Sequence, residues 1–171
     1  MSIQNKLARF LNAAHVLVLC GVLLSAYGVQ FLIHEQPCPL CLLQRLAMIG
    51  IAISLICNLK FGIRPLHYGL GILSSSFGTV VSLRQMALHI CPQFPTFGEP
   101  ILGLDLYWWA FIVFKVSILF FVLYLFLYNS SDEKKVKMNW FEKFVFGLTA
   151  LLTLSNVVTA FIECGFGACA G

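Results

Sequence analysis

The stretch Gln36-Pro37-Cys38-Pro39-Leu40-Cys41-Leu42-Leu43-Gln44-Arg45 decides how this chain is read. It holds a Cys-x-x-Cys, and an arginine follows the second cysteine by four residues. Two thiols at this spacing can close a small disulfide ring, open it, or bind a metal. On one side an apolar run reaches back from Ile33 to Phe10; on the other a second runs from Leu42 to Leu59. Each is about as long as the ~20 residues that span a bilayer.

The composition agrees with that reading. Of 171 residues, 60% are hydrophobic and 11% charged, with mean hydropathy +0.90. A soluble protein carries about 25% charged residues, so this chain has too few to cover a water-facing surface. The net charge of +4 does not point to nucleic acid. Its basic residues sit in short clusters between apolar runs, as membrane anchoring requires. Membrane lipid is the expected surroundings, and no nucleic acid is expected as a partner.

Further along, a third run spans Leu66 to His89, with Gly69, Gly71, Gly78 and Ser74–Ser76 as small residues suited to close helix packing. Three prolines and two glycines between Ile90 and Asp105 exclude a spanning helix there. A fourth run, 106–128, opens with Tyr107-Trp108-Trp109, an interfacial aromatic belt. A fifth, 144–162, follows a polar segment rich in lysine. The predicted fold is all-α: one integral membrane domain over 1–171, a polytopic helix bundle with a four-helix core and a fifth transmembrane helix. The spans are expected at 10–33, 42–59, 66–89, 106–128 and 144–162. The first is read as a helix rather than a signal peptide, because it is too long for an h-region.

Eight of the eleven basic residues fall at the N-terminus (Lys6, Arg9), the second connection (Lys60, Arg64) and the fourth (Lys134, Lys135, Lys137, Lys143). The positive-inside rule then puts the N-terminus in the cytoplasm and both proline-containing loops outside, with the C-terminal residues outside too. This sorts the seven cysteines. Cys38, Cys41, Cys91, Cys164 and Cys169 face the disulfide-permissive side. Cys20 lies in the membrane as an inert thiol, and Cys57 lies near the cytoplasmic face.

A static disulfide across two residues closes little loop and stabilises little, which favours redox exchange for Cys38 and Cys41 over a structural bridge. A four-thiolate metal site with Cys164 and Cys169 fits less well, because their spacing is wide for zinc. Arg45, one helical turn past Cys41, is costly at the start of a membrane helix and suggests function. It would stabilise a thiolate or polarise a carbonyl oxygen of an apolar cofactor. Gln85 and His89, four apart at the same end of the third run, share a face and would complete a polar rim around a lipid-soluble ligand. Lys115, in mid-run, needs a partner, and His15 reads as a packing group.

Cys38-Pro39-Leu40-Cys41-Leu42-Leu43-Gln44-Arg45 after a first membrane helix resembles the signature of the DsbB family of disulfide bond formation proteins. Ile101-Leu102-Gly103-Leu104-Asp105-Leu106-Tyr107-Trp108-Trp109 resembles that family's approach to its fourth helix. The resemblance implies a bacterial inner-membrane four-helix bundle that reoxidises a periplasmic thioredoxin-like dithiol oxidase, DsbA, and passes the electrons to quinone, ubiquinone or menaquinone. By this likeness Cys41 would contact the quinone, Cys38 would exchange with a second, mobile cysteine pair, and Arg45 would support quinone binding, with His89 near the rim.

The chain departs from the family in its third loop and in having a fifth run with a C-terminal Cys-x4-Cys. The loop between the third and fourth helices usually carries both shuttle cysteines; here it carries Cys91 alone. Cys164 and Cys169, among glycines after the fifth run, are expected to supply the missing shuttle function, alone or with Cys91. A vitamin K epoxide reductase-like enzyme is the nearest rival, and a non-catalytic metal-binding membrane protein a rival of another class.

Overall fold

The computed structural model describes residues 3–32, 38–90, 101–128 and 137–165. They form five helices: α1 (Ile3–Leu32), α2 (Pro39–Phe61), α3 (Pro65–Ile90), α4 (Leu106–Phe126) and α5 (Trp140–Cys164). Local chemistry sets several of the ends. Pro39 and Pro65 each open a helix, where a missing N–H costs nothing. Gly62, at φ 96°, ends α2. Asn139 and Glu142 close a capping box at the start of α5: the Asn139 side chain accepts the Glu142 amide, and the Glu142 carboxylate accepts the Asn139 amide.

α2 is the central helix. It packs against α1, α3 and α5, and α4 lies chiefly against α3. The α3–α4 seam is close because α3 has no side chain at two points. A Cβ on Gly78 would come within 2.3 Å of the Phe114 ring, and one on Gly71 within 2.1 Å of Phe121. Both rings are fully buried. Packing of this kind holds helices together in lipid, where the hydrophobic effect does not.

Among the described residues, α1, α2, α4 and α5 are long and apolar enough to cross a membrane. α3, at 26 residues, equals them in length. Ser74–Ser76, Arg84, Gln85 and two histidines lower its hydropathy, but Ser75, Ser82 and Gln85 are buried within the bundle. The fold is an all-α polytopic membrane bundle. α1 starts well before the expected residue 10, because apolarity marks the lipid-crossing part of a helix rather than the helix itself. Arg9 thus lies inside α1 and pairs with Glu142 of α5 through two bonds, Nε–Oε1 2.8 Å and Nη2–Oε2 2.6 Å. Both side chains are buried, so Arg9 is a helix-to-helix tie rather than a solvated anchor.

More polar ties join the helices near that pole. Asn12 Nδ2 donates to Tyr68 Oη at 3.0 Å, and His15 Nε2 meets Ser117 Oγ at 3.1 Å within an aromatic nest of Phe120, Phe121 and Tyr124. Cys20 Sγ lies 3.5 Å from Thr149 Oγ1, joining α1 to α5. Lys115, exposed on α4, rests over the Phe111 ring.

Candidate functional site

The opposite pole carries Cys38 and Cys41. Cys38 is the N-cap of α2, and its Sγ accepts the backbone N–H of Cys41 at 3.2 Å. With Pro39 at the first helical position, this turns the Cys-x-x-Cys onto the first turn of the helix and brings both sulfurs to one side. Cys38 is buried and Cys41 half-buried, and both are free thiols. The Cys38 thiol is held well above its ordinary range, first by its hydrogen bond to the Cys41 sulfur and then by burial.

α3 supplies Gln85, whose Nε2 donates to Cys38 Sγ at 3.5 Å and to Cys41 Sγ at 3.6 Å. Gln44 Nε2, from α2, donates to Gln85 Oε1 at 2.8 Å. Arg45 reaches back to α1: Nη1 donates to Gln30 Oε1 at 2.7 Å, Nη2 to the Ala26 carbonyl at 3.1 Å, and the guanidinium sits 4.8 Å from the Tyr27 ring centroid. A buried cation is thereby fixed in place with hydrogen bonds and a ring face as partners.

These groups meet at a cavity of about 290 Å³ between α1, α2, α3 and α4. Cys41, Arg45, Gln44, Gln85 and Gln30 supply its polar wall, while Val22, Met48, Trp109 and Val113 are among the apolar residues. Its rim includes Ile101, in a tight turn with Leu104 in which Leu102 and Gly103 both have positive φ. Trp109 Nε1 donates to the Ile101 carbonyl at 3.0 Å and holds that turn against α4. A larger groove between α1 and α5 shares Gln30 with it, and among the described residues no thiol lines that groove.

The structure therefore brings together Cys38, Cys41, Arg45 and Gln85. His89 stands just behind them: its Nδ1 donates to the Gln85 carbonyl at 2.7 Å, and its ring stacks on Tyr107, which lines the cavity. Cys91 and Cys169 lie outside the described residues, as does the side chain of Cys164. Sequence reading missed Gln44, Gln30 and the cavity-facing roles of Tyr107 and Trp109. Gln44 had a signal, since it sits one turn after Cys41 on the same helix face. The sequence reads Tyr107-Trp108-Trp109 as one interfacial belt, yet Tyr107 is buried while Trp108 is exposed.

Residues 8–98, more than half of the chain, match the family described as Disulfide bond formation protein DsbB. Among relatives, the chain is 41% identical over 90 residues to Disulfide bond formation protein B of Cupriavidus necator, covering 52% of this chain and 55% of that one. It is 43% identical over 70 residues to the protein of the same name from Cupriavidus metallidurans (40% and 44% covered). With that of Ralstonia nicotianae it is 37% identical over 98 residues (57% and 60%). The matches span about half the length of these relatives. No solved structure matches.

Proposed function

Because the chain belongs to the DsbB family of disulfide bond formation proteins, we propose that it is a membrane thiol–disulfide oxidoreductase that reoxidises a periplasmic DsbA-like thioredoxin-fold dithiol protein and delivers the electrons to quinone. The observation that carries this reading is the placement of Cys41 in the wall of an apolar cavity, with Arg45 one turn deeper in the same wall.

The cavity suits such a ligand. It is about the size of the smallest ligand pockets, has aromatic and aliphatic walls for a flat ring, and offers the Arg45 guanidinium to a carbonyl oxygen. When bound, a quinone supplies a two-electron, two-proton acceptor, so that the dithiol closes to a disulfide as quinol forms. The chain's own part is exchange. A partner thiolate attacks the disulfide of a shuttle pair, drawn from Cys91, Cys164 and Cys169, and the partner's second thiolate resolves the mixed disulfide, so the partner leaves oxidised and both shuttle thiols are reduced. A shuttle thiolate then attacks Cys38 of the Cys38–Cys41 disulfide, the S–S bond breaks, and Cys41 leaves as thiolate. The second shuttle thiolate attacks the mixed disulfide and releases Cys38. Each step is thiolate attack, so only the thiolate fraction reacts. We place the protein in the bacterial inner membrane, with the cysteine pole periplasmic and the Arg9–Glu142 pole cytoplasmic.

The test is quinone reduction by a reduced thioredoxin-fold dithiol protein. Arg45→Lys keeps the charge but loses the planar fork that reaches both Gln30 and the Ala26 carbonyl. It should raise the KM for quinone about tenfold or more and leave the thiol exchange between protein partners intact. Wild-type behaviour of Arg45→Lys and Arg45→Ala would remove the arginine from the reading.

A further inference from the structure

Two glutamines bracket the thiols, and their order of bonding carries information. Gln85 is 2% exposed and Gln44 5%. An amide has one donating end and one accepting end. Gln85 offers its oxygen to the Gln44 Nε2 at 2.8 Å, and this leaves its NH₂ facing both sulfurs, at 3.5 and 3.6 Å. Turned over, Gln85 would present a carbonyl oxygen to the sulfurs, and a thiolate cannot donate to it. The Gln44 donor therefore selects the one orientation in which the buried Gln85 amide can hold a sulfur anion.

We propose that Gln85 is a catalytic residue whose amide stabilises the thiolate released from Cys41, and that Gln44 is a positioning residue that sets the direction of that amide. The pairing links α2 to α3 beside the reacting bond, so the donor is in place before charge develops. The same N–H groups reach Cys38, so the amide follows the sulfurs whichever one bears the charge. Among the described residues, the titratable and charged groups around the pair are Arg45 on α2, His89 on α3 and Tyr107 on α4. The proposal rests on Cys38 and Cys41 being the exchange-active pair, and its test needs neither quinone nor partner protein.

The full-length protein, fully reduced, is reacted with iodoacetamide over a range of pH, and alkylation of Cys41 is read by peptide mass. Gln85→Leu should slow Cys41 about tenfold at pH 7, with the deficit closing as pH rises and thiolate forms regardless. Gln44→Glu keeps Gln85 and nearly the same volume but replaces the donor with an acceptor. It should produce a deficit of the same kind, since Gln85 must turn to donate to it. Unchanged rates in either variant would overturn the proposal. So would a deficit equal at every pH, which would mean altered access rather than a smaller thiolate population. Should Gln85→Leu not fold, Gln44→Met, which removes the donor without adding a charge, decides in its place. Loss of quinone reduction with normal alkylation in both variants would count against the amide pair while leaving the oxidoreductase reading standing.

Discussion

Cys38 is the residue whose environment makes the clearest chemical statement. Its thiol is held above the ordinary cysteine range by the bond to the Cys41 sulfur and by burial. A raised value means that Cys38 in the dithiol stays protonated at neutral pH and into mildly alkaline solution. Since only the thiolate alkylates or attacks, limited alkylation of the reduced protein at pH 7 should label Cys41 ahead of Cys38. Cys38 should stay slow as pH is raised to about 9. Peptide mapping checks this, and equal labelling of the two would contradict the geometry. The sequence made Cys38, Cys41 and Arg45 legible, because a thiol pair and a cation at a membrane helix start are costly and few structural roles explain them. It could not show that Gln85 reaches the sulfurs or that Gln44 turns it. That contact joins residues 41 positions apart and depends on how α3 rotates against α2.

At the scale of elements, α5 is the helix whose attachment needs explaining, since the family match stops at residue 98. Its start is tied by Glu142, which serves both the capping box and the pair with Arg9. Removing one partner of a buried ion pair leaves a bare charge and typically costs about 3–5 kcal/mol. Glu142→Ala should lower thermal stability in detergent by that order and loosen α5, visible as faster proteolysis within residues 140–164. The double change Arg9→Met with Glu142→Leu should recover most of the loss, because no charge remains buried. A Glu142→Ala protein as stable as wild type would show that the tie is dispensable. Four of the five helices could be read from apolar length alone, and α3 from its place between them and its small residues. The tie could not, since Arg9 looked like one of the basic residues that mark the cytoplasmic side, and only the packing of α1 on α5 turns it inward.

For the whole molecule, the two poles divide the work. Buried polar ties fasten the helices at one end, and at the other an apolar cavity opens beside two thiols. The central claim is that this dithiol hands its electrons directly to a quinone in that cavity. The most direct measurement adds one equivalent of a short-chain ubiquinone or menaquinone to the fully reduced protein, without any partner. Thiols and quinone absorbance are then counted together. The account predicts that Cys38 and Cys41 alone lose their two thiols at first, one quinone becoming quinol for each disulfide formed, and that Cys41→Ser abolishes both changes. Quinone that stays oxidised while the Cys38–Cys41 dithiol persists, or quinol formed at the wild-type rate by Cys41→Ser, would contradict it.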